Sequence, residues 1–393
     1  MAQRTEITPL GLRLDLTENH LPAYRSLREA GSLIANNGAV PVPAEWYATD
    51  WDTISFVFRH PELFSSAASS AGMGPTQKMI PLEVDPPDHK RYRRLLDYFF
   101  SPNRLRPLEA SLRQQINDII DTFIDRGSVD LLEEFFIPYP TQVFLTMYGL
   151  PLADRPKFLE WKDALIRGSR IDLQVGVRAG EELYAYMAHL IANRDPSGED
   201  LMSSFLRPNE QGDRLTDSEI MDITYLFVLA GLDTVTTALA HSFGYLATHR
   251  EARQEIIDDP SIIPGAVEEM IRVFTPAPAL TRTATQDVEV AGVLVKKGQG
   301  IFCHLGAANG DSQQLANAET IDLHRAENRH SSFGLGIHRC LGSHLARMEV
   351  RLVMEEFHRR IPHYALAEGT ELFKVPFFEG LDSLPIVFPA GGR

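Results

Sequence analysis

Apolar residues recur at helical spacing over most of the chain that follows Pro87. The longest run begins after Thr216 and Glu219, which are three residues apart and form a capping-box pattern, and it continues to about His249. This pattern predicts one helix of roughly thirty residues, a length that is unusual in globular proteins and typical of a central element. A second apolar stripe predicts a long helix near the C-terminus, with Leu341, Leu345, Met348 and Leu352 on the buried face.

Shorter elements follow the predicted central helix. Pro260 and Pro264 bound a short link before a predicted helix over 266–274. Two alternating segments, 288–290 and 293–295, flank a turn and predict a small β-hairpin. The stretch from 306 to 332 is rich in loop-forming residues. The sequence therefore predicts a mainly α protein with a minor β portion, and a single domain over 1–393 because no linker or repeat interrupts it.

Composition narrows the function classes. The 393 residues are 44% hydrophobic and 23% charged, as in ordinary globular proteins, and a net charge of −15 argues against nucleic acid as a general partner. The apolar stretches are far shorter than a bilayer requires, and the first residues lack an apolar signal core. Two cysteines, Cys303 and Cys340, provide no disulfide framework. We therefore expect a cytoplasmic protein that does not bind membranes.

The strongest chemical signal is the sequence FGLGIHRCLG at residues 333–342, which we call the cysteine loop. It places Cys340 directly before the C-terminal apolar stripe. A thiolate there would lie at the positive end of a helix dipole, which lowers the pKa of the thiol and favours metal ligation. Gly334, Gly336 and Gly342 would allow the backbone to pass close to a flat cofactor, where a side chain would collide.

Two other interpretations of this loop compete with a cofactor. An isolated cysteine is often a small hydrophobic residue of the core. A zinc site is the more specific alternative, because four potential zinc ligands lie within a short stretch: His330, His338, Cys340 and His344. Structural zinc sites usually show closely paired ligands, and these residues are spaced by eight, two and four positions. The spacing therefore favours a cofactor over zinc.

A second signal lies inside the predicted central helix, where Gly231 precedes Asp233 and Thr234. A glycine in mid-helix costs about 1 kcal/mol relative to alanine, and a close helix–helix contact is its usual explanation. Thr234 lies four residues after Ala230, so its hydroxyl can bond the Ala230 carbonyl and open the helix locally. Such a groove would bring a hydroxyl and a carboxylate together beside a small ligand.

Together these motifs resemble the cytochrome P-450 superfamily, and the resemblance extends from about residue 50 to 389. It implies a fold shaped like a triangular prism, with a long central helix over haem b, and a monooxygenase with Cys340 as the iron ligand. It also implies that Asp233 and Thr234 supply protons for the reaction. The residues that would contact the haem are Ala230, Gly231, Phe333 and Gly334.

The resemblance assigns two further groups of residues. Glu269 and Arg272, which taken alone predict a surface ion pair, resemble a buried E-x-x-R element whose third member would be Arg325 and whose role would be structural. The haem propionates would be held by His89, Arg93, Arg282 and His338, since cations and hydrogen-bond donors bind carboxylates well.

The pattern is most similar to soluble bacterial members of the camphor-hydroxylating type, which receive electrons from a ferredoxin and a ferredoxin reductase. Arg91, Arg94 and Arg339 would face such an acidic partner on the cysteine side. Gln77 and Leu280 replace a camphor-binding tyrosine and an acid of that type, so camphor itself is not expected. By alignment, an apolar small molecule, with a terpenoid the best guess, would contact Gln77, Met79, Leu82, Leu226, Leu229, Pro278, Phe377 and Phe378.

Two alternatives share the haem but differ in function. A peroxide-driven haem-thiolate enzyme typically replaces the acid–alcohol pair, which is intact here as Asp233 and Thr234. A haem-binding sensor or carrier that performs no chemistry would have little use for a proton relay.

Overall fold

Helices form most of the part of the chain that the computed structural model describes, namely residues 5–7, 13–15, 18–36, 44–67, 78–209, 211–370, 372, 374–375 and 380–391. The α-helices span Arg25–Ala30, Trp51–Arg59, Asp88–Leu96, Pro102–Leu105, Glu109–Asp121, Pro138–Tyr148, Arg155–Asp163, Ser169–Ile171, Leu173–Asn193, Leu201–Phe205, Asp217–Thr248, Arg250–Asp258, Ile263–Phe274, Leu305–Asn309 and Ser343–Arg360. Leu132–Phe136 and Ala164–Gly168 are π-helical, and short 3-10 turns occur at Leu21–Tyr24, Asp97–Phe100, Arg106–Leu108, Ile124–Arg126, Leu152–Asp154, Pro260–Ile262 and Gly336–His338.

The central helix runs from Asp217 to Thr248 and begins with the predicted capping box. The Glu219 amide donates to Thr216 Oγ1 at 3.2 Å, and the Thr216 amide donates to Glu219 Oε2 at 2.7 Å, so two orphan N–H groups are satisfied. This helix is long and apolar enough to cross a membrane by composition alone, but 78% of its most apolar window is buried inside the protein. It is therefore the core helix that the sequence predicts.

Two hydrophobic cores meet along the central helix. Its first half contributes Leu226, Leu229 and Leu232 to one core, which we call the distal core. Its second half contributes Val235, Leu239 and Phe243 to the other, together with buried residues of Ile263–Phe274 and Ser343–Arg360. The change from one core to the other falls next to Gly231, where the sequence places its acid–alcohol pair.

The β portion is small, as predicted. Its largest sheet has five strands in the order Leu33–Ala35, Trp46–Ala48, Gly300–His304, Ala279–Ala284, Phe64–Ser65, and only the pair that aligns Ile301 with Trp46 is parallel among them. The remaining described strands are Thr5–Ile7, Arg13–Asp15, Ser128–Asp130, Val288–Val290, Val293–Val295, Ala365–Leu366, Lys374–Val375, Gly380–Leu381 and Pro385–Val387.

The predicted hairpin is confirmed with the same bounds, and the helix that follows the central helix is confirmed with shifted bounds. Val288–Val290 pairs with Val293–Val295 as the expected hairpin. The helix predicted over 266–274 begins earlier, at Ile263, because Pro264 occupies its first turn, where a missing N–H costs nothing. The stretch predicted as loop contains most of the short helix Leu305–Asn309, which His304 caps by accepting the Ala307 amide at 3.0 Å. A histidine cap of this kind has no sequence signal.

Candidate functional site

The cysteine loop reverses the chain tightly before the helix Ser343–Arg360. Gly334 and Gly336 have φ values of +69° and +67°, a region that favours glycine. A Cβ at Gly336 would lie 2.2 Å from the Phe58 carbonyl oxygen, so no side chain fits there without moving the helix Trp51–Arg59. The Cys340 amide donates to the Phe333 carbonyl at 2.8 Å and closes the turn. These contacts fix the direction in which Cys340 points.

The two cysteines have different environments. Cys303 is completely buried in a strand, and burial raises the pKa of its thiol to about 12. Cys340 is exposed. Burial by the surrounding protein nevertheless raises the pKa of the Cys340 thiol and outweighs the Gly342 amide and nearby arginines, which lower it. The expectation of a lowered pKa is therefore wrong for the free thiol, although metal binding would deprotonate it.

The central helix presents an open face at Gly231. Gly231 is exposed although its neighbours Leu232 and Asp233 are buried. A Cβ at Gly231 would meet no described atom within 4 Å. The expected close helix–helix contact is therefore absent from the described residues, and the glycine leaves the helix surface accessible at this point.

The acid–alcohol pair lies beside this open face. Thr234 Oγ1 donates to the Ala230 carbonyl at 2.9 Å, as the four-residue spacing predicts. Asp233 is buried, with 7% of its surface exposed, and Lys162 Nζ donates to its Oδ1 at 2.8 Å. No local sequence pattern predicts Lys162 as the partner of Asp233, because Lys162 comes from the separate helix Arg155–Asp163.

His89 Nε2, Arg282 Nη2 and His338 Nε2 are three of the buried side-chain atoms that have no hydrogen-bond partner among the described residues. They come from three different elements, and the rings of His89 and His338 lie 4.1 Å apart. Burial lowers the pKa of His89 to about 4, that of His338 to about 3 and that of Arg282 to about 10. With only protein groups around them the two histidines are therefore neutral at pH 7, and Arg282 supplies the positive charge.

Arg93 was predicted to join these donors. Its positive charge is close enough to lower the pKa of His338, after the larger effects of burial, Arg282 and His89. However, its Nε pairs with Asp97 Oδ1 at 2.8 Å and its Nη1 donates to the Arg339 carbonyl at 2.8 Å. Arg93 thus ties the helix Asp88–Leu96 to the cysteine loop.

The E-x-x-R element is buried, not a surface pair. Arg272 donates from Nη2 to Glu269 Oε1 at 2.7 Å, and neither side chain is exposed. Arg325 Nε lies 3.2 Å from Glu269 Oε2. Arg272 also donates to the carbonyls of Asn309 and Thr320, at 2.8 and 2.9 Å. This cluster therefore fastens the irregular stretch before the cysteine loop.

Comparisons with known proteins agree with this arrangement. The cytochrome P450 family model matches residues 181–361. The steroid C26-monooxygenase of Mycobacterium tuberculosis strain H37Rv is 31% identical over 95% of this chain and 97% of its own length. Cytochrome P450 CYP107DY1 of Priestia megaterium is 34% identical over 78% of this chain and 76% of that protein. The chain belongs to the cytochrome P450 family.

A solved structure supports the fold of this P450. The structure of CYP109E1 from Bacillus megaterium in complex with testosterone matches 95% of the chain with a TM-score of 0.85 and 26% sequence identity, and all of that chain is covered. The P450 fold and the monooxygenase class predicted from the sequence are confirmed. Members of the family hold haem b through a cysteine thiolate, so haem b is the cofactor of this P450.

The site residues fit a haem. A Cβ at Gly231 on the central helix, or at Gly342 beside Cys340, would meet no described atom within 4 Å, so both glycines leave room for a flat macrocycle to approach the backbone. The unpartnered donors of His89, Arg282 and His338 match the two carboxylates that a haem carries. Among the described residues no group of His, Cys, Asp and Glu side chains is arranged to hold a bare metal ion, so zinc has no support here.

The predicted substrate contacts divide into three sets. Leu82 and Pro278 are half-buried, so part of each side chain is accessible to a ligand. Met79, Leu226 and Leu229 are packed in the distal core, and Leu229 is completely buried, which leaves it no surface for contact with substrate. Gln77, Phe377 and Phe378 lie outside the described residues.

Proposed function

We propose that this P450 hydroxylates a compact, largely apolar small molecule, with a terpenoid as the best candidate, using O2 and electrons from a ferredoxin and its reductase. One observation carries the proposal: Asp233 and Thr234 lie next to the open face at Gly231, and Asp233 is linked to a buried lysine. When bound, haem supplies the oxygen activation and the oxidation of a C–H bond.

In this proposal Cys340 is the iron ligand and chain 1–393 is one domain. Ala230, Gly231, Phe333 and Gly334 lie against the haem. His89, Arg282 and His338 bind the propionates, with Arg93 in support, while Glu269, Arg272 and Arg325 hold the preceding stretch in place. The exposed thiol of Cys340 and the three unpartnered donors support these assignments.

Protons reach the reaction through Asp233 and Thr234. The Asp233 carboxylate is held by Lys162 Nζ, so its position is fixed by an ion pair inside the protein. The Thr234 hydroxyl donates to the Ala230 carbonyl, and its oxygen can still accept a hydrogen bond from a proton donor. A carboxyl group that gains and loses a proton next to this hydroxyl serves as a general acid.

The same pair weighs against the two alternatives. A peroxide-driven enzyme receives its protons with the oxidant, and a haem sensor or carrier needs none. Neither function explains why a charged carboxylate is buried beside an exposed glycine in the central helix. Turnover with NADH, ferredoxin and reductase distinguishes the monooxygenase from both alternatives, because only the monooxygenase forms product under those conditions.

Half-buried Leu82 and Pro278 support an apolar substrate, because such a molecule would be held by burial at about 25 cal/mol per Å². A steroid is the second candidate, since one relative is a steroid C26-monooxygenase and the matched CYP109E1 structure holds testosterone. Monoterpenoids, sesquiterpenoids, steroids, fatty acids and small aromatic acids should be compared by the spin-state shift of the iron and by product formation. We expect the terpenoids to bind most tightly, and tight binding of a charged aromatic acid alone would contradict the proposal.

The redox partner docks on the cysteine side. Arg94 and Arg339 are exposed there and suit an acidic ferredoxin. Arg91 was expected to join them, but its guanidinium pairs with Asp213 at 3.0 Å and Glu219 at 2.6 Å, which neutralises it locally. Docking takes place in the cytoplasm, without membrane or nucleic acid.

Charge reversal tests this surface. Arg94→Glu and Arg339→Glu should slow reduction by ferredoxin at low ionic strength, and the effect should fade as salt is added. Arg250→Glu is the control, since Arg250 is exposed and follows the end of the central helix, whose last residue, Thr248, lies about 21 Å along the helix axis from Thr234. Equal rates for all three variants would exclude this docking surface.

A further inference from the structure

A second charge network, half-buried, lies behind the cysteine loop. Glu268 precedes Glu269 on the helix Ile263–Phe274 but contacts different partners. Arg347 donates to Glu268 from Nε and from Nη2, the latter at 2.9 Å to Oε2. His330 Nε2 lies 3.1 Å from the same Oε2. The two adjacent glutamates therefore hold different parts of the cysteine region.

The protonation of His330 follows from its two contacts. The Ser332 amide donates to His330 Nδ1 at 3.3 Å, so Nδ1 is the acceptor and Nε2 carries the hydrogen that is donated to Glu268. Burial lowers the pKa of His330, so the ring is neutral at pH 7. The network therefore contains one positive charge, on Arg347, and one negative charge, on Glu268.

Glu268 stays ionised in this position. Burial alone raises the pKa of its carboxyl, but the hydrogen bonds from His330 and Arg347 outweigh burial and bring the pKa to about 2. Glu268 is therefore a permanent counter-charge for Arg347 at physiological pH.

The network reaches Cys340 through Phe333. The guanidinium carbon of Arg347 lies 4.2 Å from the centroid of the Phe333 ring, a cation–π distance. The Phe333 carbonyl accepts the Cys340 amide hydrogen at 2.8 Å. Arg347 is thus held by Glu268 on one side and stacked on Phe333 on the other, at the base of the turn that carries Cys340.

We propose that Glu268 and Arg347 are positioning residues that set the reduction potential of the iron centre: Arg347 raises it through a positive charge held on Phe333, and Glu268 fixes and partly offsets that charge. The proposal rests on the assignment of Cys340 as the iron ligand. One-electron reduction adds negative charge to the centre, so a fixed cation nearby favours the reduced form and a fixed anion opposes it.

The two charges give opposite predictions. In the haem-loaded protein, Arg347→Gln should lower the midpoint potential, because a cation is lost. Glu268→Gln should raise it, because the amide keeps similar hydrogen bonds but no longer offsets Arg347. The double variant should lie close to the unmodified protein, and Arg347→Lys should lie between Arg347→Gln and the unmodified protein.

Arg351→Gln is the matched control. Arg351 lies one turn further along the same helix and forms ion pairs with Glu109 and Glu355, each at 2.9 Å. It should leave the midpoint potential unchanged. The readout is a spectroelectrochemical titration of each purified holoprotein, which reports the potential without turnover.

Shifts in the same direction for Arg347→Gln and Glu268→Gln would indicate general loosening of the loop and would overturn the proposal. An equal shift of the midpoint potential in Arg351→Gln, or no shift in any variant, would also overturn the proposal. If Arg347→Gln does not retain haem, the direction of the Glu268→Gln shift decides. If the unmodified protein itself shows no carbon monoxide band near 450 nm, the assignment of Cys340 as ligand is wrong. This result distinguishes failure of the ligand assignment from failure of the proposal on the reduction potential.

Discussion

Lys162 Nζ lies 2.8 Å from Asp233 Oδ1, and this ion pair joins the helix Arg155–Asp163 to the middle of the central helix. The Lys162 side chain is 2% exposed and that of Asp233 is 10% exposed, so water screens the pair little. The lysine therefore holds in position the carboxylate that we assign to proton delivery.

Removing the lysine should be costly for folding. Lys162→Met would leave the Asp233 carboxylate buried without a counter-charge, which destabilises proteins by about 3 kcal/mol. Urea denaturation followed by circular dichroism measures the change. Lys157→Met is the control, since Lys157 is an exposed lysine of the same helix that lies over the Trp161 ring at 4.9 Å. If the two variants are equally stable, the buried pair does not have the assigned importance.

Thr234 should control how efficiently electrons are used. Thr234→Ala removes the hydroxyl beside the open face, so we expect most electrons from NADH to form hydrogen peroxide instead of product. Coupling, the product formed per NADH consumed, should fall several-fold. Thr234→Ser retains the hydroxyl and should retain most of the coupling. Asp233→Asn should slow turnover by a factor of about 100, since a general acid is lost. Normal rate and coupling in both Thr234→Ala and Asp233→Asn would remove the proton-delivery assignment.

Arg282 should determine how firmly haem is held. Its Nη2 is buried without a described partner, and a charged hydrogen bond to a propionate contributes about 1.5 to 3 kcal/mol. Arg282→Gln should therefore release haem to an excess of apomyoglobin at least about tenfold faster. The control is Arg94→Gln, because Arg94 is exposed, and this variant should release haem at the same rate as the unmodified protein. Equal release from both variants would show that Arg282 does not bind the cofactor.

How much the sequence predicts depends on whether a signal is local. The central helix and the cysteine loop are set by caps, periodicity and glycines within a few residues, and both appear where expected. Lys162 could not be predicted, because it meets Asp233 across 71 residues and only the packing of two helices brings them together. The family resemblance names His89 and His338 as propionate ligands, but it does not indicate their burial, which lowers the pKa of both rings.

The same limit applies to the two glutamates of the helix Ile263–Phe274. The spacing of Glu269 and Arg272 alone predicts a surface pair, and only the family resemblance indicates burial. The sequence around Glu268 and Arg347 carries no separate signal, and the spacing of His330 indicates only a candidate zinc ligand. Their network becomes visible when the helix, the cysteine loop and the C-terminal helix pack together.

Glu349 should make stability depend on pH. Burial raises the pKa of its carboxyl well above the ordinary value, and its Oε2 has no partner among the described residues. Above about pH 4.5 the unfolded chain releases this proton while the folded protein keeps it, so folding loses up to about 1.4 kcal/mol per pH unit. Glu349→Gln removes this loss and should gain stability over the unmodified protein as pH rises from 5 to 8 in urea denaturation. A difference that does not change with pH would contradict the assignment.

The central claim is that Cys340 is the thiolate ligand of a haem, and the carbon monoxide difference spectrum of the reduced protein tests it most directly. The unmodified protein and Cys303→Ala should absorb near 450 nm, as thiolate-ligated haem in this family does, while Cys340→His should lose that band. A protein purified with zinc and no haem, or a 450 nm band that survives in Cys340→His, would contradict the claim.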